Sequence, residues 1–397
     1  MSKFIGTGAA GNKAVINAIN KGVIPRQHAL LINSTLRDIP AEFHDISVRI
    51  GGDRGGCGKE RDVAAELTIA SLKDGSLDRL DQFLEPGDET VYIVSSTEGG
   101  SGSGSVPIIA KYFKEIYNIN IHIIAFTGFE DDARSLRNTV EFFEQLSEDY
   151  VVQAISNKKF LNESNNNRLK AQQLANDEFV RRMSVVLGQT IVASENNIDE
   201  TDLYKTVNTP GYITVEAATL DRNIKNKDQF NKFVSDMLDN SKSVDIIDAG
   251  TKRMAVILNV KESTSDNIDY NFEVIKQKYG FAFETFTHVQ NEGDVEFINI
   301  ILSGMNLPLE EITEIHEKYK ESISKVNIRK DSFFETLSNI EKDNVVDLFN
   351  TAKRTTVIEQ TIDRRKSFLD NISLNKSDKE SENNNIEEAK KNFIDKY

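Results

Sequence analysis

Residues 95–113, "SSTEGGSGSGSVPIIAKYF", interleave Gly99, Gly100, Gly102 and Gly104 with Ser101 and Ser103, between an apolar run and an amphipathic one. Upstream, "ETVYIVSST" has the apolar, β-branched character of a buried strand. Downstream, Ile108, Ile109, Tyr112, Phe113, Ile116 and Tyr117 recur at helical spacing. Glycine lets the backbone come close to an anion and adopt positive φ, and consecutive amides at a helix N-terminus attract phosphate oxygens. The serine hydroxyls can donate further hydrogen bonds. A Gly/Ser run is otherwise a flexible linker, but linkers do not usually join an apolar strand to an amphipathic helix. The stretch predicts a phosphate-binding turn in an α/β fold.

Working outward, "FIGTGAAGNKAV" (residues 4–15) repeats the pattern, and Gly6, Gly8 and Gly11 satisfy G-x-G-x-x-G. That spacing suits an NAD-linked dehydrogenase, which also needs an acidic residue about 20 positions on to hold the ribose. Asn33 and Ser34 end the apparent second strand instead, and Asp38 comes later. The dinucleotide reading stays open as an alternative that leaves the second glycine loop unexplained. "HALLIN" and "INIHIIAFTG" read as further strands, so the first half alternates strands with helices in the manner of a parallel sheet. Residues 165–193 read as one long helix, with Leu169, Leu174, Phe179, Met183 and Leu187 facing the core. "RMAVILNV" and "VEFINIILSG" read as strands of a second block. Beyond Pro308 the sequence turns helical and charged. The last stretch, "NKSDKESENNNIEEAKKNFIDKY", has the composition of a disordered tail. Its residues Ile386 to Tyr397 read either as solvated chain or as a short amphipathic helix on a partner.

The composition, 39% hydrophobic and 28% charged over 397 residues, is that of a soluble globular protein of two or three domains. A net charge of −15 argues against this chain gripping nucleic acid directly, though a basic adaptor could bridge it to DNA. No run reaches the roughly 20 apolar residues of a membrane helix and the start lacks a leader pattern, so the expectation is a cytoplasmic protein without a membrane partner. The single cysteine, Cys57, excludes an internal disulfide, and the five histidines are too scattered to suggest a metal site.

With these residues in hand, "GGSGSGS" resembles the G-G-G-T-G-[ST]-G signature of the tubulin and FtsZ superfamily. "GTGAAGNKAV" is similar to its first phosphate loop, "GVGGGGxNAV", which implies that Gly6, Gly8, Ala9, Ala10, Gly11 and Asn12 line a nucleotide. "RGGCGKERDVAAE" occupies the place of the γ-phosphate-sensing loop, so Gly55, Gly56, Cys57 and Gly58 would be phosphate-proximal; its wording is closest to phage and plasmid tubulins of the TubZ and PhuZ type. "FTGFEDDAR" resembles "PFxFEGxxR", putting Glu130 at the ribose and Arg134 at the sugar-phosphate side; a surface ion pair opening a helix is the plainer alternative. Asn157 in "ISNKKFL" and Asp177 in "ANDEFVRRM", with Asn176 as fallback, fall where the family holds guanine. Gln173 falls where many FtsZ proteins stack an aromatic on the base. "TPGYITVEAATLD" resembles "RPGLINVDFADV", the loop that reaches a neighbouring subunit's γ-phosphate. In that register Thr214 replaces the asparagine, while Glu216 and Thr219 replace the two aspartates, with Asp221 as the shifted alternative. The similarity runs in order from about residue 3 to 307.

The resemblance implies a tubulin/FtsZ-like α/β architecture in five parts. These are a parallel-sheet GTP-binding domain (1–164), a long central helix (165–193), a smaller α/β activation domain (194–307), a C-terminal helical region (308–371) and a polar tail (372–397). It further implies GTP or GDP as ligand, with Mg2+ carried by the nucleotide, and head-to-tail self-assembly into a filament that positions DNA or phage particles, with hydrolysis completed at the subunit interface. A GTP-binding filament that hardly hydrolyses, and a nucleotide-sensitive adaptor that never polymerises, are the other readings.

Overall fold

The computed structural model describes residues 2–52, 55–192, 198–220, 224–246, 249–337 and 392–393. The chain forms two compact units, Met1–Tyr319 with Lys390–Tyr397, and Lys320–Ala389. Residues 338–371 of the expected helical region, and all of the tail except Asn392 and Phe393, lie outside the described residues.

In chain order the elements open β1 (Ser2–Thr7), α1 (Gly8–Asn20), β2 (Ala29–Asn33), β3 (Ser47–Arg49), α2 (Arg61–Lys73), α3 (Arg79–Phe83), β4 (Thr90–Ser96), α4 (Ser101–Tyr117), β5 (Asn120–Thr127), α5 (Ala133–Glu144) and β6 (Val151–Ser156). There follow α6 (Arg168–Val186), α7 (Glu200–Val207), β7 (Gly211–Thr219), α8 (Lys227–Asp239), β8 (Arg253–Asn259), α9 (Glu262–Ser265), α10 (Glu273–Tyr279), β9 (Glu284–Gln290), β10 (Phe297–Met305) and α11 (Leu309–Leu337). All ten strands join one sheet in the order β3-β2-β1-β4-β5-β6-β7-β10-β8-β9. The first six pair in parallel, and β10 runs antiparallel to both β7 and β8. Between the two halves, β6 and β7 share only the pairs Val151↔Gly211 and Val152↔Tyr212.

The strands expected at the start of "FIGTGAAGNKAV" and at "HALLIN", "ETVYIVSST", "INIHIIAFTG", "RMAVILNV" and "VEFINIILSG" are β1, β2, β4, β5, β8 and β10. β1 and β4 are buried almost throughout, as parallel strands covered on both faces must be. The central helix is shorter than expected, and its core stripe differs. Leu169 is 79% exposed, whereas Ala171, Ala175, Phe179, Met183 and Val186 are buried. On that stripe Phe179 packs edge-on against Phe126 of β5, while Asp177 of α6 bonds Asn17 and Lys21 at the end of α1. Among the described residues no helix is long and apolar enough to cross a membrane.

Candidate nucleotide site

The strand order reverses between β1 and β4, and a cleft of about 440 Å³ opens at their C-terminal ends. A reversal of this kind is where open α/β sheets bind ligands. Both helices that start there lack side-chain caps: Thr7 before α1 and Gly100 before α4 make no cap hydrogen bond. Two sets of first-turn amides therefore stand without side-chain partners at one cleft, each at the positive end of a helix dipole. This donor set fits phosphate oxygens.

Of the residues expected at the nucleotide, Gly8, Ala9, Ala10, Gly55, Gly56, Cys57, Gly58, Gly99, Gly100, Ser101 and Gly102 line the cleft. The glycines do two different jobs. At Gly11 an added Cβ would sit 2.0 Å from the Val94 carbonyl oxygen, and at Gly104 2.2 Å from that of Arg61, so these positions let helices lie against their neighbours. At Gly55, Gly56, Gly58 and Gly99 a Cβ would meet nothing, so these face open space. Gly6, Gly11, Asn12, Ser103 and Gly104 do not line the cleft. Asn12 is buried, its amide donating to the Ile32 carbonyl at 3.2 Å, and it ties α1 to β2 instead of facing a ligand. Ser103 is buried too, with its hydroxyl on the Gly99 carbonyl, so of the two serines in the glycine run it is Ser101, hydrogen-bonded to Ser34 at 2.6 Å, that lines the cleft. The sequence reading missed Thr7, Asn33, Ser34, Thr35, Arg37, Asp38, Lys59 and Ser96 on the cleft wall.

The 55–60 loop is fixed by buried Arg61 at the start of α2. Its guanidinium donates to the Asn138 carbonyl at 3.3 Å, to the Gln145 side chain at 2.6 Å and to the Ser103 carbonyl at 3.2 Å. That last acceptor is free because Pro107, four residues on in α4, has no N–H to give it. Lys59 adopts φ 63 and its ammonium bonds Asp132 at 2.8 Å and Ser135 at 3.1 Å.

Glu130, Arg134, Asn157, Asn176 and Asp177 do not line the glycine cleft in this structure. Glu130 is held by Lys158 at 3.0 Å and Lys318 at 2.6 Å; burial pushes its carboxyl up, but the two ammonium groups outweigh it and leave the pKa lowered. Arg134 reaches the Gly58 carbonyl at 3.3 Å and Glu60 at 3.4 Å, so it braces the phosphate-side loop. Asn157 follows β6 and donates to the Thr127 carbonyl at 2.9 Å. Asp177 accepts from Lys21 at 2.6 Å and Asn17 at 3.0 Å, both near the end of α1; partial burial opposes ionisation, yet these donors hold its pKa below the usual range. Asn176 beside it is half-buried on α6, and Gln173 is exposed.

The structure corrects the expectation for Glu216. The segment 211–219 is strand β7, and Glu216 within it is 3% exposed. Its carboxylate accepts from Thr214 at 2.9 Å and Ser241 at 2.6 Å, and faces Arg182 of α6 at 3.5 Å. Arg182 is fully buried, held by Glu178 at 2.6 Å and Ser243 at 2.8 Å. Burial raises the Glu178 pKa, but the charges of Arg182 and Arg181 outweigh it and the carboxyl ends lowered. Glu216 is thus a buried partner that neutralises Arg182, with no path to a neighbouring molecule. Thr219 is exposed at the C-terminal end of β7, and because β7 runs parallel to β6 this is the same end of the sheet as the cleft. Asp221 lies outside the described residues.

The sequence reading passed over the connection between α6 and β7. "NIDETDL", residues 197–203, carries an asparagine and two aspartates at the intervals of "NVDFADV" in the quoted FtsZ stretch. Asn197 lies outside the described residues. Asp199 is exposed and caps α7, accepting from the Asp202 amide at 2.7 Å. Asp199 borders a second cavity, of about 600 Å³, with Ser2, Glu89, Thr90, Leu187, Ile191 and Leu203. Ser2 and Thr90 begin β1 and β4, so this pole is separated from the glycine cleft by the length of β4, about 20 Å for seven residues. The acid-rich helix start after the central helix was the available signal. Pro210-Gly211 drew the register to a downstream strand.

Comparison with known proteins returns no matching family model. The cell division protein FtsZ of Mycoplasmopsis pulmonis is 26% identical over 216 residues, 52% of each chain. The chain thus spans about half the length of that curated relative. TubZ of Clostridium botulinum phage c-st, in a tail-truncated form, superposes with a TM-score of 0.65 at 18% identity, covering 82% of this chain and 97% of that one. A GTPγS-form protofilament of TubZ from Bacillus thuringiensis serovar israelensis gives 0.68 at 15% identity, covering 83% and 94%. The fold is that of the tubulin/FtsZ superfamily.

Proposed function

We propose that this chain binds GTP in the glycine cleft, hydrolyses it, and polymerises head to tail into a dynamic filament that positions cargo such as DNA or phage particles in a bacterial cytoplasm. The observation that carries the reading is the division of one site over two poles: phosphate donors at the C-terminal ends of β1 and β4, and Asp199 at their N-terminal ends. In this reading Asp199 and Asp202 take the place first expected of Glu216 and Thr219. Asp199 orients or polarises the attacking water on the next subunit's nucleotide, the modest protein contribution that phosphoryl transfer needs. A contact between unlike poles is heterologous, and with no rotation that closes it into a ring it generates a filament.

The base would lie toward Asn157 and Asp177, with Lys21 and Asn17 displaced from Asp177 to free its acceptors. Among the described residues no cluster of His, Cys, Asp or Glu is placed to hold a metal ion. A magnesium ion would therefore arrive on the phosphates and add charge neutralisation there. The TubZ neighbours, one from a phage and one as a GTPγS-form protofilament, support the filament and phage parts of the reading. The order of the first six strands is also that of dinucleotide-binding sheets, so NAD belongs in the test.

Phosphate release and light scattering, measured against protein concentration with GTP, ATP and NAD, test the proposal. GTP alone drives scattering, and specific activity climbs above a threshold concentration. Flat signals with GTP at every concentration would refute it.

A further inference from the structure

The C-terminal segment supplies an observation that the nucleotide reading does not use. Asn392 and Phe393 are helical, and Phe393 is 2% exposed. Its ring meets that of Tyr112 on α4 edge-on, with centroids 5.4 Å apart and planes at 80°. Tyr112 also contacts Tyr117 and Phe113, so Phe393 completes an aromatic cluster on the flank of the first unit. The rim of that cluster is acidic. Asp81 of α3 accepts from both tyrosine hydroxyls, at 2.6 Å from Tyr112 and 2.5 Å from Tyr117. Asp78 lies close enough to act on Tyr112 electrostatically.

The sequence of the segment suits such a surface. Ile386, Ala389, Phe393 and Tyr397 recur at helical spacing, and Lys390 and Lys391 precede the phenylalanine. We propose that the α3–α4 flank is a docking site for an aromatic-anchored amphipathic helix, and that its occupant is the chain's own C-terminal segment, bound within the same molecule through Phe393. The aromatic anchor supplies most of the contact, as edge-to-face rings in a desolvated pocket do, and the lysines complement Asp78 and Asp81.

The chain contains no tryptophan, so Phe393→Trp places a single reporter at the anchor. In the full chain its emission is blue-shifted and shielded from a soluble quencher, it does not change on dilution, and it turns solvent-like when Tyr112→Leu is added. A second measurement uses a fluorescein-labelled peptide of residues 383–397. The full chain carrying Phe393→Ala binds it saturably, the unmodified chain binds at least ten-fold more weakly because its own segment competes, and a Phe393→Ala peptide does not bind. Solvent-like emission of the reporter, or no binding of the peptide to the Phe393→Ala chain, overturns the proposal. A red shift on dilution also overturns it, since the segment would then come from another copy.

Discussion

The two ends of the parallel strands differ in chemistry. At the C-terminal ends of β1 and β4 the surface is glycine-rich backbone with uncapped amides and few carboxylates. At their N-terminal ends it is a cavity of mixed lining bordered by Glu89, Asp199 and Glu200. The first end attracts phosphate and the second repels it. On the proposed reading the anion site stands at the first pole and the water-orienting carboxylate, Asp199, at the second, a strand's length away. The difference teaches that, on the proposed reading, chemistry joining them needs two molecules.

The comparison breaks most visibly at Asp199. On the proposed reading Asp199→Asn lowers turnover by about 100-fold or more while GTP binding and assembly persist, measured by phosphate release and sedimentation. The second largest effect is structural and falls between the poles. Glu216→Ala leaves buried Arg182 with Glu178 as its remaining carboxylate and the Thr214 and Ser241 hydroxyls without their acceptor, and destabilises the fold by about 3 kcal/mol in urea unfolding. The surviving folded fraction keeps its turnover, the opposite pattern to Asp199→Asn.

A pH effect comes next. Burial drives the His122 imidazole down to about 4 from an ordinary 6.5, against the hydrogen bond it makes with Asn208 at 3.0 Å. The unfolded chain therefore takes up this proton before the folded one does. Stability is whole above pH 6.5 and falls as pH drops toward 4, by about 3 kcal/mol in total. His122→Gln flattens that acid limb in chemical denaturation at stepped pH. The smallest effect sharpens the nucleotide end: Asp177→Ala weakens GTP and GDP binding about ten-fold, read by equilibrium titration, as loss of one charge-assisted hydrogen bond predicts.

Much of the fold was legible because parallel strands buried on both faces read as unbroken apolar runs, as in "VYIVSS" and "IHIIAF". The glycine loops were legible as a pair because each stands between such a run and a helix. What the sequence hid was the difference between a glycine that faces a ligand and one that lets backbones touch, since Gly99 and Gly104 look alike in "GGSGSGS" but meet open space and the Arg61 carbonyl respectively. Glu216 was misread for a related reason. A carboxylate within "YITVEAAT" suits a loop or a strand equally, and only the fully buried Arg182, brought from a distant helix, explains why it points inward. Asp38 seemed too far along to matter, yet Asn33 bonds it at 3.3 Å and both line the cleft.

The most direct test of the divided site mixes two variants. Asp199→Asn keeps the glycine cleft and disables the opposite pole. Gly99→Asp does the reverse: an added Cβ there meets no protein atom and the fold is expected to be kept, while the charge repels phosphate. Each variant alone is predicted to release almost no phosphate from GTP, and an equimolar mixture to recover turnover. A mixture that assembles yet stays as silent as its components would contradict the account.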